Sequence, residues 1–286
     1  MTPEIGYTFE KESHSVQFVS GAIGGISGLF IGYPMDTVKI LQQNASEKNL
    51  RAIDAMRLIN KQGFKTFFNG MGLVIYSYAF VNAVVFTSFN AVSVKLQDNG
   101  FSKISSTCVA GFISGIIQTI PGSPVEVLKV QRQVQAASIN SEKISTRSIV
   151  KNILRDEGIG GFYRGFKVYA LRDSIAFSIY FFIYGEMGKL MKPDSLTSIF
   201  TGGAIAGVTS WLFTMPIDVI KTRLQAKQER NIMECIRNLV FKDGISSLMR
   251  GTNITLLRAF FVNAVNFGFY EKSVEFLTIS TETPSS

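Results

Sequence analysis

One charged hexapeptide, present three times, constrains this chain more than any other feature. "PMDTVK" begins at Pro34, "PVEVLK" at Pro124 and "PIDVIK" at Pro216, at separations of 90 and 92 residues. Each copy reads proline, acid two places on, base three further: Pro34/Asp36/Lys39, Pro124/Glu126/Lys129 and Pro216/Asp218/Lys221. Glycines stand thirteen and nine residues before each proline, at Gly21 and Gly25, Gly111 and Gly115, Gly203 and Gly207. That small-xxx-small spacing lets membrane helices approach closely. A second element follows each first, "QGFKTFFNG" at 62–70, "EGIGGFYRG" at 157–165 and "DGISSLMRG" at 243–251, and leads into apolar segments 71–93, 166–191 and 252–277. One such triplet is weak, but three in register with their flanking elements mark an internal repeat.

Only 17% of the 286 residues are charged, whereas 46% are hydrophobic. A soluble domain carries about 25% charged residues, so a membrane protein is the first reading. Long apolar windows are broken by Gly, Ser, Pro, Asn or single charges, as expected of helices bundled around a polar interior. The expected fold is an all-α membrane protein of six transmembrane helices in three pseudo-threefold helix-loop-helix repeats. The boundaries are an N-terminal tail 1–14, repeats 15–97, 104–192 and 196–278, and a C-terminal tail 279–286. The N-terminal stretch carries Glu4, Glu10 and Glu12 and one lysine, so targeting information is expected to be internal. With one histidine, His14, and two separated cysteines, Cys108 and Cys235, zinc chemistry and nucleophilic triads are excluded. No catalytic residue, metal or cofactor is expected. The net charge of +8 fits loops facing a negative compartment or anionic lipid better than nucleic acid, because six spans leave no soluble domain to bind it.

The triplet has a physical logic. A proline within a helix removes one hydrogen bond and kinks it, which neighbouring helices can compensate in a membrane. Pro34, Pro124 and Pro216 are therefore expected kinks. Acid and base three positions apart share a helix face, and either ion alone in hydrocarbon is costly, so both should point inward. Around a threefold axis the base of one helix meets the acid of the next, and three such bridges close one end of the bundle.

These residues resemble the mitochondrial carrier family, whose signature is Pro-x-acid-x-x-base followed by acid-Gly-x4-aromatic-base-Gly. The resemblance covers roughly residues 15–277. It implies alternating-access transport across the mitochondrial inner membrane, short surface helices on the matrix side, and a matrix gate formed by Asp36, Lys39, Glu126, Lys129, Asp218 and Lys221. The chain departs from the pattern at Leu41 and Gln131, where only Arg223 keeps a second base, and at Gln62, Asn69 and Met249. The family's opposite, cytoplasmic gate survives only as Tyr270-Glu271. Phe89-Asn90 and Tyr184-Gly185 lack the acid, and Ser93, Gly188 and Val274 lack the base, so that gate should be weak.

Seven residues beyond Gly70, Gly165 and Gly251 lie Ser77, Arg172 and Arg258, followed by Tyr78, Asp173 and Ala259. An intramembrane arginine faces water, a carboxylate or a ligand, and its fork suits a substrate carboxylate. Asp173 can hold a cation. Direct pairing of Arg172 with Asp173 is awkward, because adjacent helical residues point about 100° apart, which leaves both for a zwitterion. Asn82 and Asn263, twelve beyond Gly70 and Gly251, either line the cavity or bond across helices. "LRD" at 171–173 and "RAFFVNAVNFGFYE" at 258–271 resemble the carnitine/acylcarnitine and basic amino-acid branch, with Phe261 where that branch has proline. The resemblance implies ornithine, lysine, arginine, carnitine or acylcarnitine as substrates.

Bases cluster between the elements at Lys48, Arg51, Arg57, Lys61 and Lys65, then at Lys143, Arg147, Lys151 and Arg155, then at Lys227, Arg230, Arg237 and Lys242. Positive loops mark the inside face, which would leave both termini in the intermembrane space. "AIDAMRLINKQGF" reads as an amphipathic surface helix. Helix N-termini at Gly70, Gly165 and Gly251 can hold lipid phosphates, cardiolipin by the resemblance. The chain is expected to act as a monomer. The rival readings are a uniporter of choline-like amines and a non-transporting, carrier-derived scaffold.

Overall fold

The computed structural model describes residues 14–45, 50–136, 145–190, 196–229 and 231–282. In chain order the helices are α1 (His14–Asn44), α2 (Ala52–Lys61), α3 (Met71–Asp98), α4 (Lys103–Ala136), α5 (Thr146–Glu157), α6 (Phe166–Leu190), α7 (Leu196–Gln225), α8 (Ile232–Arg237) and α9 (Thr252–Glu282). The described residues contain no strand, and the fold is all-α. Lys48, Lys143 and Arg230 from the basic loops lie outside the described residues.

The six long helices are α1, α3, α4, α6, α7 and α9. Even the shortest of them, α6, has 25 residues, and at about 1.5 Å per residue it exceeds the ~30 Å hydrocarbon core. By length and composition alone, α3, α4 and α7 hold stretches apolar enough to cross a membrane. Large apolar side chains stand on the outside: Phe80, Phe213 and Phe260 are each more than half exposed. Between the helices the buried positions are rich in polar residues, including Gln43, Gln133, Gln225, Ser114 and Thr119. This distribution, apolar outside and polar inside, suits lipid as the surrounding solvent.

The helices form a ring. Successive repeats join through α3 on α4 and α6 on α7, and α9 closes the third repeat on α1 of the first. α1, α4 and α7 run through Pro34, Pro124 and Pro216 without interruption, and α4 also contains Pro121.

The short helices cap one end. Apolar residues at i, i+4 spacing on α2 (Ala55, Ile59) pack with Val38 of α1 and Ile254 of α9. Ile149 and Ile153 of α5 pack with Val127 and Leu128 of α4, while Cys235 and Leu239 pack with Val219 and Leu224 of α7. The predicted amphipathic helix is thus α2, and its exposed bases are partly internal pairs, since Arg51 and Arg57 both reach Asp54. Gly70, Gly165 and Gly251 stand immediately before α3, α6 and α9 at φ 89°, 71° and 85°, a left-handed conformation that glycine adopts freely.

Candidate functional site

Kinship among the three repeats brings the six triplet ions to one level. Lys129 of α4 meets Asp36 of α1 at 3.1 Å, Lys221 of α7 meets Glu126 of α4 at 2.8 Å, and Lys39 of α1 meets Asp218 of α7 at 2.6 Å. Each bridge joins different repeats. Three ion pairs therefore form a closed cycle, because each helix offers its acid to one neighbour and its base to the other. Aromatic rings support two of the bases: Lys221 Nζ lies 4.1 Å from the Tyr169 ring centroid and Lys129 Nζ lies 5.4 Å from that of Tyr33.

Sequence reasoning missed one layer of this ring. Gln43, Gln133 and Gln225 each lie four residues beyond a triplet lysine and are fully buried. Gln43 Nε2 donates to Asp218 at 3.1 Å, and Gln133 Nε2 donates to Thr37 Oγ1 at 2.9 Å across repeats. Their recurrence at the period of the triplets was the available signal.

The arginines sit directly on the ring. Arg258 Nε lies 2.7 Å from Asp36, and Arg172 Nε lies 3.3 Å from Asp218. Both are ion pairs by distance, and neither Nε is aligned for a hydrogen bond. Arg258 also stacks on Trp211, 4.8 Å from its centroid. The expectation that Arg172 and Asp173 point apart is corrected. Arg172 Nη1 donates to Asp173 Oδ1 at 2.7 Å, because a long flexible side chain spans the angle that separates the two Cβ atoms. Gln118 Nε2 donates to the other Asp173 oxygen, and Asp173 is only 5% exposed.

The remaining candidates fall on two sides. A cavity of about 500 Å³ between α6, α7 and α9 is lined by Arg172, Arg258, Asn263, Tyr180, Trp211 and Asn266, among others. Ser77, Tyr78 and Asn82 line a different space, of about 140 Å³, between α3, α4 and α6. A charged chamber of about 240 Å³ lies between them, walled by the ring ions, Arg172, Asp173 and Arg258. The sequence grouped Ser77 and Tyr78 with the arginines, whereas the fold sets them across this chamber. The side chains of Tyr270 and Glu271, on α9, lie outside the described residues. Asn90, Gly185 and Ser93 bring no charge to the opposite end, and Ser93 accepts a hydrogen bond from Gln97 at 3.0 Å.

Six membrane-length helices in three repeats, a threefold ion cycle and a charged chamber of about 240 Å³ walled by it define a solute carrier rather than an enzyme. The chain belongs to the mitochondrial carrier protein family, which matches it three times, over residues 10–100, 101–195 and 192–281. It is accordingly a multi-pass transporter of the mitochondrial inner membrane. Among its relatives, the mitochondrial arginine transporter BAC2 of Arabidopsis thaliana is 31% identical over 96% of both chains. The mitochondrial basic amino acids transporter of Rattus norvegicus is 32% identical over 88% of this chain and 87% of its own. Solute carrier family 25 member 48 of Homo sapiens is 27% identical over 90% of this chain and 94% of its own.

Proposed function

We propose that this carrier moves basic amino acids such as arginine, lysine and ornithine across the inner membrane by alternating access. The observation that carries the reading is the double engagement of Arg172 and Arg258. Each guanidinium lines the large cavity and also pairs with a ring acid, Asp218 or Asp36. A substrate carboxylate that takes either arginine competes with that acid, so binding and loosening of the ring are one event. A ligand shifts a two-state equilibrium only through its differential affinity for the states, and this competition supplies the difference. The names of the Arabidopsis and rat relatives support the same substrate class.

In this reading Asp36, Lys39, Glu126, Lys129, Asp218 and Lys221 are the matrix gate, and Pro34, Pro124 and Pro216 are the bends that bring it together. The opposite gate, reduced to Tyr270 and Glu271, is weak, and both termini face the intermembrane space. Free amides after Gly70, Gly165 and Gly251 hold phosphates of lipids such as cardiolipin, and the working unit is a monomer.

The test is uptake of labelled arginine, lysine, ornithine, carnitine and choline by reconstituted liposomes, with and without internal counter-substrate. Saturable uptake of the three basic amino acids, lost in Arg258→Ala, is the expected result. Transport of carnitine alone would narrow the substrate to that zwitterion, and transport of choline alone would move the class to the rival choline-like amines. Absence of all uptake by protein that still unfolds cooperatively would make the chain a scaffold.

A further inference from the structure

The three ring acids are unequally neutralised. Asp36 has Lys129 and Arg258, and Asp218 has Lys39, Arg172 and the Gln43 amide. Among the described residues Glu126 has Lys221 alone within ion-pair distance. Its side chain is 25% exposed, against 13% for Asp36 and 7% for Asp218. Asp173, the acid that the sequence offers for a substrate cation, is already closed off by Arg172 and Gln118.

Glu126 also faces a space of its own. The pocket of about 140 Å³ has Glu126 and Tyr169 at one wall and Ser77, Tyr78 and Asn82 at the other. Its volume is that of about four or five waters at ~30 Å³ each, enough for an ammonium or guanidinium head. Ser77 already donates to Val74 O at 3.1 Å, so its hydroxyl oxygen is available to accept. The same Glu126 and Tyr169 wall the central chamber, which Arg172 and Arg258 also wall.

We propose that Glu126, not Asp173, receives the cationic end of the substrate, in the pocket between α3, α4 and α6. The proposal rests on the reading of the chain as a basic amino-acid carrier. The substrate carboxylate lies at Arg172 and Arg258 while its side-chain cation displaces Lys221 from Glu126. Lys221 keeps the face of the Tyr169 ring at 4.1 Å, a weaker partner that offsets part of the loss when it leaves Glu126. A cationic amino acid thus addresses all three ring acids, two through their arginines and one directly. A neutral amino acid of the same shape addresses two and leaves the Glu126–Lys221 bridge closed.

Binding of arginine and of citrulline to the purified full-length carrier, followed by thermal-shift titration, separates the alternatives. Citrulline keeps arginine's length and shape without its charge, so the arginine/citrulline affinity ratio isolates the cation's contribution. The expected result is a preference for arginine that falls about tenfold or more in Glu126→Gln, the worth of a charge-assisted hydrogen bond. In Asp173→Asn the ratio is expected to stay within about threefold, because that aspartate acts through Arg172 on a carboxylate common to both ligands. Should Glu126→Gln fail to fold, Lys221→Gln carries the test, since removing the competing ammonium should raise the ratio. An unchanged ratio in Glu126→Gln or in Lys221→Gln, or a collapse in Asp173→Asn, overturns the assignment while leaving basic amino-acid transport standing. Wild-type protein that binds neither ligand overturns the transport reading as well.

Discussion

Arg223 stands where the first two repeats have Leu41 and Gln131. Its Nε donates to Gln43 O at 2.9 Å, its Nη2 reaches Asp243 at 2.6 Å, and its Nη1 lies 3.5 Å from Glu229. One side chain therefore ties the end of α7 to the end of α1 and to the loop before α9. Arg250 reinforces the junction by donating to Ala45 O at 3.0 Å and pairing with Asp243 at 3.2 Å. Removing Arg223 leaves Asp243 to Arg250 and takes the cation from buried Glu229, and breaking a buried pair costs about 3–5 kcal/mol. Arg223→Leu should therefore lower the unfolding temperature of the purified carrier sharply, whereas Leu41→Arg, at the equivalent partly buried position against the Val38, Ala55 and Ile59 cluster, should not raise it. Cys235 shows the opposite use of a buried site. Burial pushes its thiol up to about 12, and its side chain packs against Leu239 and Val219. It should resist maleimide at neutral pH and label only after denaturation, as read by mass spectrometry.

The turns that launch α3, α6 and α9 do more than reverse the chain. A Cβ on Gly251 would stand 3.1 Å from Lys39 Cγ, whereas one on Gly244 would meet nothing within 4 Å. Gly251 has φ 85°, whereas Gly244 combines φ 88° with ψ 154°, a region that a residue with a side chain enters only at about 1–3 kcal/mol. Gly244→Ala should lose stability through its backbone alone and Gly251→Ala through left-handed strain together with pressure on a ring lysine, and parallel thermal melts measure each loss. At the far end of α5, Glu157 pairs with Arg164 of its own repeat and Lys227 of the next, each at 2.5 Å. Burial works to raise its carboxyl, and the bonds from Lys227 and Arg164 overcome that and hold it below the ordinary glutamate value. Its contribution is complete above the unfolded value of about 4.3 and is lost as pH falls through the lower folded value. Thermal melts run downward from pH 6 should show this loss, and Glu157→Gln should flatten that limb of the curve.

At the scale of the whole molecule, the ring couples all three repeats through pairs that no single repeat contains. A double-mutant cycle between Asp36→Asn and Lys129→Gln should give a coupling of about 1–3 kcal/mol, because contacting residues in one network do not act additively. The same cycle between Asp36→Asn and Lys39→Gln, three residues apart on one helix, should give a smaller value. A larger coupling of Asp36 with Lys39 than with Lys129 would mean that the ions pair within helices. The two ends of the bundle also differ in kind. One end is held by this cycle and the layer of Gln43 and Arg223 beneath it. At the other, the equivalent positions on α3 and α6 carry Asn90, Ser93 and Gly185.

The period of the triplets, the glycine pairs ahead of them and the scarcity of charge were enough to read three repeats, six spans and an inward-facing set of ions. Those features follow from local rules: small residues permit close helices, and ions avoid hydrocarbon. The same periodicity held the signal for Gln43, Gln133 and Gln225, which repeat with the lysines. Which acid each cation would choose was beyond one-dimensional spacing. Arg258 finds Asp36 from 222 positions away, Arg172 bends onto its own neighbour and onto Asp218, and Glu126 is left with a single ion-pair partner among the described residues. Pairing among several buried charges depends on distances between helices and on the reach of long side chains, and only the closed bundle sets those.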